Sequence, residues 1–131
     1  MSRFLLDTHV VVWLAVDPSR LSQTARAHLS AAEELHVSAA SAFELAQKCR
    51  VAKLPQASAI LARWDELVRA MGAHELSLTA QDMASAGSIT WDHRDPFDRM
   101  LVAQALLRGL TLVTSDTAIR QFDGVVCADW V

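Results

Sequence analysis

With 131 residues, 52% of them hydrophobic, the chain is long enough to bury its own core and too apolar to stay disordered. Its net charge of −3 argues against a broad, salt-driven nucleic-acid surface, though not against a nuclease whose acidic site is offset by bound cations. No apolar stretch approaches the ~18 residues of a membrane span, and Asp7 cuts short the first apolar run; no signal peptide and a cytoplasmic location are expected.

Arg3 to Asp7 reads as a short buried strand, and Thr8 to Ala15 as a first helix. After a turn near Asp17-Pro18, the alanine-rich stretch Ser22 to Ala32 is helix-like, with Ser22 as its N-cap. Leu35 to Ser38 reads as a second strand. Ser41 to Lys53 follows as a helix, closed by Lys and Arg in its last turns and by Pro55 beyond. Apolar residues at Ile60, Leu61, Trp64, Leu67, Val68 and Met71 then recur with a helical period, so Ala57 to Met71 is predicted as one helix that Gly72 stops. This insertion looks like a helical hairpin whose apolar face exceeds what one small sheet covers.

His74 to Leu78 is read as a third strand, Thr79 to Ala86 as a short helix and Gly87 to Phe97 as a polar loop. Pro96 and Asp98 start a helix that runs to Arg108 and stops at Gly109. Leu110 to Val113 is a strand, Thr117 to Phe122 a short helix and Gly124 to Cys127 a last strand. Strands alternating with helices predict an α/β class fold, a single three-layer α/β/α domain over residues 1–131 with a mostly parallel sheet of about five strands. Cys49 and Cys127 lack metal-ligand or CxxC spacing and read as buried thiols.

Four carboxylates stand where apolar runs hand over to helices: Asp7, Glu44, Asp98 and Asp116. Singly, each has a structural explanation. Three precede or open helices, where carboxylates cap free N–H groups, and Ser41-Ala42-Phe43-Glu44 fits a capping box. Jointly they would share one rim of a parallel sheet and repel each other unless a cation neutralises them, which points to Mg²⁺ or Mn²⁺. His9 and His93 read as solvated or hydrogen-bonded histidines before they read as proton shuttles. Trp91, in the polar loop, is the better candidate for stacking on a base; Arg94 and Arg99 either grip a phosphate or pair with Asp95 and Asp98.

Leu5-Leu6-Asp7-Thr8, Ser41-Ala42-Phe43-Glu44-Leu45-Ala46, the block Asp95-Pro96-Phe97-Asp98-Arg99-Met100-Leu101-Val102-Ala103-Gln104-Ala105 and Leu112-Val113-Thr114-Ser115-Asp116 together resemble PIN domains, with the nearest similarity to VapC-type toxins of bacterial toxin–antitoxin pairs. The resemblance covers essentially the whole chain. It implies a Mg²⁺- or Mn²⁺-dependent endoribonuclease in which Asp7, Glu44, Asp98 and Asp116 are the family acids. Of these, Asp7, Asp98 and Asp116 would hold the metal, with Glu44 as ligand or orienter of the attacking water. Asp95 is an extra carboxylate of one family branch; Thr8 and Ser115 are candidates for supporting the acids, and Trp91, Arg94 and Arg99 for touching RNA. His9 stands where other branches carry a small polar residue. The resemblance further implies a cognate antitoxin, which would dock on the Ala57 to Met71 hairpin and carry any contact with DNA, and a homodimer.

Other phosphoryl-transfer folds fit less well. A dehalogenase-type phosphatase wants a second Asp where His9 stands, and a dinucleotide-binding domain wants glycines where Asp7-Thr8-His9 stands. Two alternatives stay open: a catalytically silent PIN-like module that binds RNA or a partner, and a housekeeping RNA-processing nuclease.

Overall fold

The computed structural model describes residues 2–131. Four parallel strands, β1 (Arg3–Leu6), β2 (Glu34–Ser38), β3 (His74–Leu76) and β4 (Thr111–Val113), lie in the order β3-β2-β1-β4. Leu5, Leu6, Val37, Leu112 and Val113 are fully buried, as a parallel sheet covered on both faces requires. The chain builds outward from β1 to β3 and then returns to the free edge of β1 with β4. That reversal opens a crevice at the carboxyl ends of β1 and β4, where open α/β sheets bind their ligands.

Helices α1 (Thr8–Val16), α2 (Gln23–Ser30), α3 (Ala39–Arg50), α4 (Ala57–Ala62), α5 (Trp64–Ala70), α6 (Ala80–Ser88), α7 (Pro96–Arg108) and α8 (Thr117–Arg120) flank the sheet. Phe4, Leu6, Val10, Leu29, Val37 and Val113 form the core on one face, and Leu5, Leu101, Val102, Leu112 and Ile119 the core on the other. A third cluster of Val12, Leu45, Ala57 and Ile60 joins α1, α3 and α4. α7 begins at Pro96 behind the N-cap Asp95 and ends at Gly109, whose φ of 63° is the left-handed conformation that a helix stop favours. α6 is fastened along α7 by buried Asp82, which accepts hydrogen bonds from Arg108 at 2.8 and 3.0 Å and from Gln104 at 3.1 Å. The Arg108 guanidinium holds the Asp82 carboxyl down at about 2.

Three expectations change. The sheet has four strands among the described residues instead of about five, because the segment expected as a last strand touches β4 through a single bridge, Leu112 to Cys127. Arg120 explains the stop: its guanidinium takes the Ala128 carbonyl at 2.7 Å and the Thr114 carbonyl at 3.1 Å, where a ladder would continue. The single helix expected over Ala57 to Met71 breaks at Arg63, at φ −120° and ψ 25°. The break sends Ile60 into the cluster against α3 and Val68 into the core of the sheet, so most of the hairpin's apolar stripe is covered. Finally, no capping box forms at Ser41. α3 starts directly off β2, Ser38 accepts the Ala40 amide at 3.0 Å, and Ser41 is buried one turn further on.

Candidate metal and catalytic centre

The crevice at the strand ends is built by four segments. Asp7 leaves β1 as the N-cap of α1, and its position is fixed by every neighbour it has. One carboxylate oxygen accepts the Thr8 amide at 2.7 Å; the other accepts the Thr114 hydroxyl at 2.6 Å and lies 3.3 Å from His9 Nδ1. Thr114 Oγ1 also accepts the Asp116 amide at 3.0 Å, so one hydroxyl ties the end of β1 to the start of α8. His9 ties them again through Nε2, which accepts the Ser115 amide at 3.3 Å and meets Ser115 Oγ at 3.0 Å. Where other family branches carry a small polar residue, His9 thus makes its own link between Asp7 and Ser115. Asp116 caps α8 through the Ile119 amide at 3.2 Å.

From the other side of the crevice comes the first turn of α7. Asp95 caps it by accepting the Phe97 and Asp98 amides at 2.9 and 3.3 Å. Asp98 is buried one turn in, with His93 Nε2 at 2.6 Å from its Oδ2. The ligand-type atoms of His93, Asp95 and Asp98 all lie within 4.8 Å of one another. Glu44 reaches in from α3, buried but for 8% of its surface, with Lys48 Nζ at 3.1 Å. Thr8 turns away from the acids: its hydroxyl bonds Ser41 at 2.9 Å and pins α1 to α3.

The charges of these groups act on one another. Burial, followed by the charges of Asp95, Asp7 and Asp116, pushes the Asp98 carboxyl up to about 7, with His93 pulling the other way. Burial also raises Asp7, against the pull of His9 and Thr114 and with a further push from Glu44. A carboxyl that burial, with further acids nearby, keeps protonated toward neutrality, as at Asp98, stands in a site short of positive charge. A group dominated by carboxylates, with one imidazole beside it, is chemistry suited to a divalent cation.

Of the remaining candidates, Arg99 is already occupied. Its guanidinium donates to the carbonyls of Ala86, Ile89, Trp91 and His93 at 2.6–3.0 Å, clamping the loop that carries His93. Trp91 is half-buried and stacks on Phe122 with ring centroids 4.8 Å apart. Arg94 is exposed on the wall of an open apolar groove of about 820 Å³ that also includes Phe43, Met83, Asp95, Phe97 and Met100. His93 and Thr114 lay outside the expected set of acids and RNA contacts, as did His9, though the sequence had offered both histidines as hydrogen-bonding or proton-shuttling residues. The His-x-Asp-x-x-Asp spacing was a signal for His93, and a hydroxyl closing the apolar run before Ser115-Asp116 for Thr114.

Fold and site together define a parallel α/β domain with an acid-lined crevice of the kind that receives divalent cations. The chain belongs to the PIN domain family, which it matches over residues 4–125. It is 36% identical over 123 residues to Ribonuclease VapC22 of Mycobacterium tuberculosis, covering 92% of each chain. A chain in the crystal structure of VapBC2 from Rickettsia felis, bound to a DNA fragment from their promoter, has a TM-score of 0.72 at 14% identity and 98% coverage of both chains. One in the crystal structure of DNA-bound VapBC from Salmonella typhimurium has a TM-score of 0.69 at 18% identity and full coverage of both. At those identities the two structures speak for the fold alone.

Proposed function

We propose that this protein is a divalent-metal-dependent endoribonuclease and the toxin of a toxin–antitoxin pair. The observation that carries the reading is the convergence on Asp98 of three acids from separate segments, Asp7, Asp95 and Asp116, with Glu44 facing Asp7. Family membership and the ribonuclease relative supply the reaction class. Asp7, Asp98 and Asp116 would hold Mg²⁺ or Mn²⁺. When bound, the cation supplies charge neutralisation at the phosphodiester and activation of water as the nucleophile.

The chain's own residues do the rest. Thr114 and His9 hold Asp7 in one orientation and keep the β4–α8 turn, with Asp116, at a fixed distance from it. Glu44, steadied by Lys48, orients the attacking water. Arg94, exposed beside Asp95, meets a phosphate of the RNA, whereas Arg99 acts through the loop that it clamps. Trp91 meets Phe122 at 4.8 Å and His93 at 4.7 Å, so a base stacking on it would compete with both rings. Attack by water, instead of by the ribose 2′-hydroxyl, leaves a 5′-phosphate and a 3′-hydroxyl.

A toxin of this type is silenced by a partner that covers apolar surface, and the groove between α3, α6 and α7, beside the site, offers one. Phe43 is 65% exposed there and Met83 44%, while the hairpin over residues 57–71 has turned most of its apolar side chains inward. Incubation of a mixed RNA panel with chelator-stripped protein tests the enzymatic reading. Cleavage that returns with Mg²⁺ or Mn²⁺ and disappears in Asp7→Asn is the expected result. RNA binding without cleavage at any metal concentration would favour a silent binding module.

A further inference from the structure

His93 stands apart from every other residue of the site because it is the one nitrogen donor aimed at the acids of α7. Its Nε2 lies 2.6 Å from Asp98 Oδ2, and a ligand-type atom of Asp95 completes a group within 4.8 Å. The ring is no casual visitor from a loose loop. Its own carbonyl, and those of Ala86, Ile89 and Trp91, are held by the Arg99 guanidinium, and its ring sits 4.7 Å from that of Trp91. His93 is therefore presented to Asp98 before any cation arrives, with little entropy left to lose on binding.

An imidazole changes which cation such a site prefers. Mg²⁺ demands hard oxygen donors in near-ideal octahedral geometry and parts with water reluctantly. Mn²⁺ accepts carboxylate and imidazole together, and first-row ions bind nitrogen donors more tightly than alkaline earths do. We propose that His93 is a nitrogen ligand of the metal site, added beside Asp98 to the set of Asp7, Asp98 and Asp116, and that it makes the site select Mn²⁺ over Mg²⁺. The proposal rests on the nuclease reading for the presence of a cation, and adds a ligand and a selectivity to it. His93 meets the ion with a neutral nitrogen, so its partnership with Asp98 is exchanged for a bond to the cation that Asp98 also holds.

Electron spin-echo measurements on Mn²⁺ added to the chelator-stripped protein test the assignment without any activity readout. Nitrogen modulation from a directly bound imidazole is expected in the wild-type chain and is expected to vanish in His93→Asn. Calorimetric titration of each ion should show Mn²⁺ binding at least roughly tenfold more tightly than Mg²⁺, with that ratio collapsing in the variant, the size typical of losing one supporting group at a metal. Mn²⁺ binding without nitrogen modulation overturns the His93 assignment and leaves the nuclease reading standing. So does modulation that survives in His93→Asn, which would place the nitrogen elsewhere, for example at His9. A wild-type chain that binds neither ion would overturn both. Because the spin-echo result is read first on the unmodified protein, a variant that folds poorly does not protect the proposal.

Discussion

Asp98 is the residue on which charge, burial and chemistry meet. Buried among acids and pushed up to about 7, it takes up a proton on folding that it does not hold when unfolded. The stability this gives is complete below about pH 4, near the ordinary carboxyl value, and is lost as the pH climbs through about 7. Without metal the chain should therefore unfold more readily at pH 8 than at pH 5.5. Asp98→Asn keeps an acceptor for His93 but removes the charge. Chemical denaturation in chelator at pH 8 should find the variant more stable by about 1–3 kcal/mol with a flatter pH slope, while cleavage falls roughly a hundredfold or more. A variant less stable than the parent at pH 8 would show that Asp98 is not an uncompensated charge. Asp7, Glu44, Asp98 and Asp116 stood out as candidates in the sequence because Asp7 and Asp116 follow apolar runs, Asp98 opens one and Glu44 sits alone among apolar neighbours. Thr114 and His93 did not, since their roles lie in contacts to Asp7 and Asp98 that only the folded chain creates.

Among the elements, α3 ends where the chain departs from its own preferences. Ala52 lies at φ 59°, a left-handed conformation that costs a residue with a Cβ about 1 kcal/mol, at a position where helices favour glycine. Ala52→Gly should relieve that strain and, after the greater freedom glycine gains in the unfolded chain, raise stability by roughly 0.5 kcal/mol. Urea denaturation that showed a loss would mean that the Ala52 methyl makes contacts outweighing the strain. The helix itself was easy to read from composition and its closing cations, but its start was not. Ser38 and Ser41 are both competent caps, and only the length of β2 decides between them. The break at Arg63 was invisible for a different reason: a one-residue kink leaves the apolar period almost intact while redirecting its two halves to separate clusters. The last strand stops at one bridge because Arg120 claims the carbonyls with which the ladder would run on past Cys127, while on the other side Leu110 gives its amide to Ala105.

Across the whole molecule, the order β3-β2-β1-β4 turns acids spread from residue 7 to residue 116 into neighbours at one rim. The alternation of strands and helices was enough to foresee that rim. Which apolar surface remains uncovered depended on the packing of α4 and α5, which turns most of the hairpin's apolar residues inward and leaves the groove beside the site open. Phe43→Asp places a charge in that groove, on a side chain 65% exposed, with little cost to the fold. Co-expression with the antitoxin that the proposed function calls for, followed by purification of the pair, should show the partner lost from the variant and retained by the parent; retention in both would move the interface elsewhere. The central claim, that water attacks a phosphodiester at the acid cluster with a cation's help, is tested most directly by the ends of the RNA fragments produced by purified protein. The account expects 5′-phosphate and 3′-hydroxyl ends that appear with Mg²⁺ or Mn²⁺ and vanish in Asp7→Asn and Asp98→Asn. Cyclic 2′,3′-phosphate ends, or cleavage that survives chelator and both substitutions, would contradict it.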